Sequence, residues 1–548
     1  MNKSGNLDRR SFLKAAGIAP VTAALPSTNL IFSLGRKKPA KSNIIFIMAD
    51  DMGYGDPGCY NPDSQIPTPN MDRLAKEGIR FTDAHSPDAV CTPTRYAVLT
   101  GTHCWRSGFR NGVLWSGYDK PLITDELTVG RFMQRNGYKT AAFGKWHLGM
   151  SFQAKDGSGV FVPSGNGKPY QPQGAQGHKD AVDFTKPITG GPNDVGFDYF
   201  FGLAGAINIE PYCFVENRYT VGIPTKWRPK NTQTSPDQIY GGESGLMVEG
   251  WKDKNIGPEI TRRAQRFITN TYGENPDKPF FMYYASPLPH MPCVPADFSK
   301  GASKAGVRGD VITQLDWTIG QITSTLKTLG IEDNTLMIVT SDNGAVKNSD
   351  ENKDFGHKSC GNLRDYKGQF YEGGHRVPFI AKWPGRIKPA TISDEVICLT
   401  DLMHTCAAIV GAKLPNNAGQ DSYNILPVLL SQPYNKPLRE ATMHMDWALR
   451  FSIRQGDWKL VKLAPDEITW DNAVNYLKEH QHQDYNTPPE LYNLVDDPSE
   501  TTNLASKHPE IVKRLNDLIE KYKAQGHSRP RQDNGISRDS LQSVKEGN

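Results

Sequence analysis

The sequence predicts an α/β fold followed by a smaller C-terminal α+β part, and three observations predict it. Apolar runs recur along the chain, and each stops at a polar cluster. Helical stretches alternate with those runs. Near residue 430 the character changes to a hairpin and one long amphipathic helix. In α/β sheets ligands bind beyond the carboxyl ends of the strands, so the polar clusters are expected to converge there.

The elements follow in order. Ile44-Ile45-Phe46-Ile47-Met48 is continuously apolar, as in a strand buried on both faces of a parallel sheet, and it stops at Asp50-Asp51. Residues 71–80 (MDRLAKEGIR) read as an amphipathic helix closed by Gly78. Residues 140–143 read as a short strand running into Gly144-Lys145-Trp146-His147. Residues 280–285 (FFMYYA) form another strand, leading to Pro287, Pro289 and His290, and residues 336–339 lead to Ser341-Asp342-Asn343-Gly344. The Gly-, Pro-, Lys- and Asp-rich residues 151–195 read as a long surface excursion. Residues 450–462 resemble a hairpin turning at Gly456-Asp457, residues 509–523 form an amphipathic helix, and the tail from Ala524 is polar and expected to fray. The expected division is 39–430 for the α/β domain, 431–525 for the C-terminal subdomain and 526–548 for the tail.

Residues 1–38 differ from the rest. Arg9-Arg10, then Ser11-Phe12-Leu13-Lys14 and a weakly apolar stretch to Leu25, have the order of a twin-arginine export signal, with Asp8 where serine or threonine is usual. An exported protein is expected, periplasmic or extracellular, with the twin-arginine translocation machinery as a partner. The 548-residue chain carries a formal charge of +4, and losing the seven basic residues and one acid of 1–38 turns that into −2. No basic excess then remains for nucleic acid. No apolar run approaches the ~20 residues that span a bilayer, so no membrane span is expected. With 37% hydrophobic and 22% charged residues, the composition is that of a loop-rich globular protein. The eight cysteines contain no C-x-x-C pair.

The chemistry concentrates in a few places. In DAVCTPTRYAVLTG, residues 88–101, Pro93 suits a first helical turn, which places Cys91 just ahead of a helix N-terminus. Free N–H groups there favour a reactive sulfur or an anionic substrate, although a lone cysteine can equally be a small buried apolar residue. Asp50-Asp51 and Asp342-Asn343 offer hard oxygen ligands suited to Ca²⁺ or Mg²⁺ and poorly suited to zinc; singly, each pair reads equally as a turn or a cap.

Residues 89–101 (AVCTPTRYAVLTG) resemble the signature of the type I sulfatases, in which the cysteine of C-x-P-x-R is oxidised to formylglycine. Residues 137–147 (GYKTAAFGKWH) resemble the second signature of that family, with Phe143 in place of its usual smaller residue. NIIFIMADDMGYGD, SDNGA, YKGQFYEGGHRVP and ELYNLVDDPSETTNL are similar to further family blocks, and the resemblance runs from Asn43 to Lys523.

The resemblance implies the alkaline-phosphatase-like fold, a large mixed sheet flanked by helices with a smaller C-terminal antiparallel sheet. It implies a sulfuric ester hydrolase, with calcium favoured over Mg²⁺ and held by Asp50, Asp51, Asp342, Asn343 and modified residue 91. Arg95, Lys145 and Lys367 would neutralise sulfate oxygens. His147 would be the base on the second hydroxyl of the formylglycine hydrate, and His290 the acid for the leaving oxygen, with Lys367 as a further candidate. Asp342 would assist attack by the first hydroxyl. A formylglycine-generating enzyme is an implied partner. The expected substrate is a sulfated carbohydrate, with aryl sulfates also turned over; residues 356–368 and the 151–195 excursion would shape its pocket. Two alternatives stand beside this reading: a phosphodiester or phosphonate monoester hydrolase using the same modified cysteine, and a non-enzymatic calcium-stabilised glycan-binding protein. His85, His103, His357, Arg364, His375 and Arg376 lie near these blocks as further candidates for substrate contact or support.

Overall fold

In a computed structural model of the chain, the described residues are 41–109, 112–161, 181–230, 242–346, 356–448, 450–462 and 488–531. The export signal expected in 1–38 and the end of the expected tail, 532–548, lie outside them.

The strands are β1 (Asn43–Ala49), β2 (Ile79–Phe81), β3 (Lys139–Lys145), β4 (Tyr199–Leu203), β5 (Val215–Glu216), β6 (Tyr219–Thr220), β7 (Phe280–Ala285), β8 (Thr335–Ser341), β9 (Phe379–Lys382) and β10 (Thr391–Ser393). They form one ten-stranded sheet in the order β10-β2-β9-β8-β1-β7-β3-β4-β5-β6. Its centre, β8-β1-β7-β3-β4, is parallel, with Ile45 opposite both Met282 and Met337. The flanks add antiparallel pairs, β8 with β9, β9 with β2, and β4 through β6, so the sheet is mixed.

Because neighbouring residues of a strand face opposite ways, β1 feeds two cores. Ile44, Phe46 and Met48 pack with α2 (Cys91–Thr100), α3 (Val129–Arg135) and α6 (Leu402–Val410). Ile45, Ile47 and Ala49 pack with α1 (Pro69–Glu77), α4 (Ile256–Glu274) and α5 (Gly306–Thr328). A strand enclosed on both faces needs no polar alternation, which explains the unbroken apolar run. C-terminal strands β11 (Thr442–Met445), β12 (Phe451–Gln455), β13 (Trp458–Val461) and β14 (Glu490–Asn493) form an antiparallel sheet in sequence order. Leu515, Leu518, Ile519 and Tyr522 of α7 (Pro509–Gln525) pack against it.

Three expectations are corrected. The helix expected over 71–80 ends at Glu77, and Ile79 begins a strand. Gly78 passes so close to β9 that a Cβ there would stand 2.1 Å from the Ala381 carbonyl oxygen, so strand pairing takes over. The excursion is partly core: Phe152, Val182, Phe184 and Ile188 are buried, and Ser151 pairs with Thr189, while its residues 162–180 lie outside the described set. The tail is held at its start, where Ser528 and Arg529 donate backbone N–H groups to the Gln420 carbonyl and Arg529 is buried. Residues 356–368, expected to shape the pocket, also brace the loop after β1: Gly55 N–H bonds the Ser359 carbonyl at 2.7 Å, and a Cβ on Gly53 would meet the same oxygen at 2.1 Å.

Candidate active site

The carboxyl ends of β1, β8, β3 and β7 deliver Asp50-Asp51, Asp342-Asn343, Lys145-His147 and His290 to one place. Cys91 arrives from the side as the first residue of α2, one position later than expected, after the extended N-cap Val90. All ten residues of α2 are buried, and Pro93 lies within its first turn. Its sulfur lies 3.5 Å from Asp50 Oδ1.

Three cations thread three carboxylates. Lys145 Nζ donates to both oxygens of Asp50, at 3.0 and 2.9 Å. Arg95 Nη2 donates to Asp342 Oδ2 at 2.6 Å and lies 3.3 Å from Asp50 Oδ1. Lys367 Nζ lies 2.6 Å from Asp51 Oδ1, which also accepts from Asn343 Nδ2 at 2.8 Å. His290 Nε2 stands 3.8 Å from Asp51 Oδ2, while its Nδ1–H donates to the Met291 carbonyl at 2.7 Å.

Burial opposes ionisation at these carboxyls, and their partners decide the outcome. At Asp50 the Lys145, His290 and Arg95 charges overcome burial and hold the pKa well below the usual range. At Asp51 Lys367 and His290 do the same. Burial pushes Asp342 up to about 7 against Arg95, with Asp50 and Asp51 adding to the rise. Asp342 shares Arg95 with Asp50, which lies 3.3 Å from the same guanidinium, so it is the carboxyl least compensated for its burial. Burial also raises the Cys91 thiol to about 12, against Lys145 and Lys367, so the unmodified sulfur is a thiol and a poor nucleophile.

His147 is linked to the cluster through its neighbours. Its carbonyl accepts from Thr92 Oγ1 at 3.2 Å. Its Nε2–H donates to the Leu114 carbonyl at 2.7 Å, which fixes the tautomer and leaves Nδ1 with a lone pair, buried and unbonded. Burial, with Lys145 adding to it, holds the imidazole neutral, well below its ordinary pKa. Asp51 and His147 both have positive φ, 73° and 56°. Two non-glycine residues in that region, both at the cluster, are local strain that the surrounding bonds hold in place.

Asp51 Oδ2 and Asn343 Oδ1 are buried acceptors without a hydrogen bond. Orphan oxygens of this kind, beside Asp50 and Asp342, fit a hard divalent cation such as Ca²⁺ or Mg²⁺.

The ten expected residues therefore come together. The six further candidates do not join them. His357 donates from Nε2 to Asp56 Oδ1 at 2.9 Å, Arg364 stacks 3.6 Å from the Tyr371 ring, and His103 stacks on Trp105. His85, His375 and Arg376 belong to a second buried polar cluster with Asp83, Glu372 and His444. Phe143, which departs from the signature, lies among Tyr199, Phe267 and Tyr284 and serves packing.

One supporting residue escaped the sequence reading. Arg308 of α5 donates to Asp56 at 2.9 and 2.6 Å and to the Asp51 carbonyl at 2.9 Å, pinning the strained Asp51 from behind. The only signal for it was Asp56 in the MGYGD block, a carboxylate in need of a counter-charge.

Comparisons with known proteins cover most of the chain. The family model Sulfatase matches residues 42–412, and the model for the C-terminal region of aryl-sulfatase matches 439–544. The chain is 34% identical over 523 residues to an N-acetylgalactosamine-6-O-sulfatase of Bacteroides thetaiotaomicron, covering 88% of this chain and 93% of that one. It is 33% identical over 498 residues to human arylsulfatase A, covering 87% and 86%. A solved structure from work on the metabolism of multiple glycosaminoglycans by Bacteroides thetaiotaomicron superimposes with a TM-score of 0.73 at 31% identity, covering 88% of this chain and 99% of that one.

Proposed function

Since this chain belongs to the sulfatase family, and is thereby a sulfuric ester hydrolase, we propose that it removes sulfate from sulfated carbohydrates through a formylglycine formed at Cys91. The observation that carries the reading is the setting of Cys91. A thiol made inert by burial sits at a helix N-terminus, 3.5 Å from a carboxylate and among three cations. That setting wastes a sulfur and suits an oxygen nucleophile facing an anion.

Oxidised to an aldehyde and hydrated, residue 91 would offer two hydroxyls. One would attack sulfur, with Asp342, held by Arg95 at 2.6 Å, as the group that takes its proton. Arg95, Lys145 and Lys367 would bind the sulfate oxygens. Burial lowers His290 to about 4 and its Nδ1–H is held by the Met291 carbonyl, so it would protonate the leaving sugar oxygen only after Nε2 takes up a proton, which the negative charge of a bound sulfate would favour; Lys367 is its alternate. The lone pair of His147 Nδ1 would then take the proton of the second hydroxyl, expelling sulfate and restoring the aldehyde without attack of water on sulfur. Asp50, Asp51, Asp342 and Asn343 would hold Ca²⁺, with Mg²⁺ second. The bound cation supplies charge neutralisation at the sulfate oxygens.

The carbohydrate class is supported by the relative named for N-acetylgalactosamine 6-O-sulfate, which makes that sugar the first substrate to test. Export by the twin-arginine route, to the periplasm or beyond, belongs to the same proposal and is supported by Arg9-Arg10 and the segment after them. The deciding experiment takes protein from a host with a formylglycine-generating enzyme and weighs the tryptic peptide of residues 81–95. A peptide lighter by the change from CH2–SH to CHO, with turnover of N-acetylgalactosamine 6-sulfate in the same preparation, supports the reading. Full turnover by Cys91→Ser, made where no enzyme modifies serine, would overturn it.

A further inference from the structure

Beside the anion site stand two tryptophans that the mechanism does not use. Trp115 follows Leu114, whose N–H accepts no role in chemistry but bonds Thr92 Oγ1 at 3.2 Å and whose carbonyl holds His147. Trp115 is therefore tied, one residue away, to the segments carrying both Cys91 and His147. Trp447 comes from the link between β11 and β12, and its N–H bonds the carbonyl of Gly368, the neighbour of Lys367, at 3.2 Å. The two indoles meet edge to face, centroids 5.7 Å apart at 65°. Trp115 is 48% exposed, the largest apolar side chain left so open among the described residues.

One exposed indole alone would need no explanation, but two indoles in contact beside a site make a joined apolar surface of the kind that marks ligand contact. Hydrogen bonds of Leu114 to Thr92 and of Trp447 to Gly368 position both segments, and the rings already meet without a ligand, which lowers the cost of ordering them on binding. Cations bind the sulfate, but they cannot recognise the remainder of a sugar, which presents C–H faces and hydroxyls. An indole offers a flat apolar face that matches the C–H face of a pyranose while leaving the hydroxyls in water.

We propose that Trp115 and Trp447 form an aromatic corner on which a pyranose ring of the sulfated substrate stacks, aligning its ester with residue 91. The inference deepens the carbohydrate reading and rests on it. It assigns the C-terminal part a share in the pocket, because Trp447 lies in the link between β11 and β12 and its backbone N–H bonds Gly368, next to Lys367. Binding energy collected on the ring, away from sulfur, is then available to orient the ester for attack.

The test measures kcat/KM of formylglycine-bearing wild type, Trp115→Ala, Trp115→Phe and Trp447→Ala on N-acetylgalactosamine 6-sulfate. Inhibition by inorganic sulfate, which has no ring to stack, reads the anion site in the same samples. Trp115→Ala and Trp447→Ala should each lower kcat/KM on the sugar about tenfold or more, Trp115→Phe should recover most of the loss, and the sulfate inhibition constant should stay within about twofold. Unchanged sugar kinetics in both alanine variants, or a parallel weakening of sulfate inhibition, overturns the aromatic corner while leaving the carbohydrate reading in place. Failure of wild type on every sulfated sugar, with aryl sulfate still hydrolysed, overturns the carbohydrate reading itself and the corner with it.

Discussion

Arg308→Met is the perturbation whose size the structure allows to be worked. Arg308 is 5% exposed, Asp56 is fully buried, and two hydrogen bonds of 2.9 and 2.6 Å join them. Burial alone would raise the Asp56 carboxyl, yet Arg308 and His357 hold it below its ordinary pKa. Removing the guanidinium leaves a buried carboxylate without its main partner, which typically costs about 3–5 kcal/mol. That is a fifth or more of the ~5–15 kcal/mol that holds a domain folded. The Asp51 carbonyl loses its 2.9 Å anchor at the same time, so activity should fall further than stability explains. Thermal and urea unfolding of wild type, Arg308→Met, Asp56→Asn and the double variant measure the coupling. The double variant should regain most of the stability lost by Arg308→Met, since a neutral amide needs no counter-charge, but not the activity. Additive losses in the double variant would refute the ion-pair account, and full activity in Arg308→Met would refute the anchoring of Asp51.

Three further outcomes follow from the same geometry. His290→Ala should lower kcat/KM on the Proposed sugar substrate on the order of 10²-fold and far less on nitrophenyl sulfate, whose leaving group needs little acid; equal losses on both would remove His290 from the acid role. Burial lowers His103 to about 4, although Asp421 pulls the other way. The unfolded chain therefore takes up that proton first as pH falls, and stability complete above pH 6.5 declines by about 3 kcal/mol toward pH 4. His103→Phe should lose that much less than wild type over the same interval in urea melts, and parallel curves would contradict it. Gly144→Ala puts a Cβ 2.0 Å from the Ala285 carbonyl oxygen at a φ of +89°, so it should cost about 2 kcal/mol or more and displace Lys145, seen as a lowered melting temperature and lost turnover; a variant as stable and active as wild type would contradict the close packing of β3 on β7.

The central strands were legible because burial on both faces leaves an unbroken apolar run, as in residues 44–48, and the polar cluster at each carboxyl end marked where the site assembles. The end of α1 was not, because Ile79 and Phe81 serve a three-residue strand whose two-residue period is too short to compete with the helical pattern before it. Phe152 and Phe184 hid in a segment whose composition is polar, although they pack into the core beside Tyr118. Arg308 and the tryptophan pair were invisible for a different reason. Each acts only by meeting a residue far away in the chain, 252 positions in the case of Arg308 and Asp56, and no local pattern records such a meeting. Positive φ at Asp51 and His147 leaves no trace in residue type either.

The charge count of the site argues for how the chain tolerates it. Asp50, Asp51 and Asp342 face Arg95, Lys145 and Lys367, so three negative groups meet three positive ones, all of them buried except the partly exposed Lys367. A neutral pocket of that kind has little attraction for a sulfate monoanion, and the raised Asp342 marks where its balance is weakest. A divalent cation, if held by the orphan oxygens of Asp51 and Asn343, would turn the balance to +2 and so favour the anionic ester and the charge that develops on its oxygens. Chelation should therefore weaken inhibition by inorganic sulfate as well as abolish turnover, with both restored by Ca²⁺. Sulfate binding that is indifferent to chelator would mean that the three cations alone carry the anion, and that the paired carboxylates are only their structural partners.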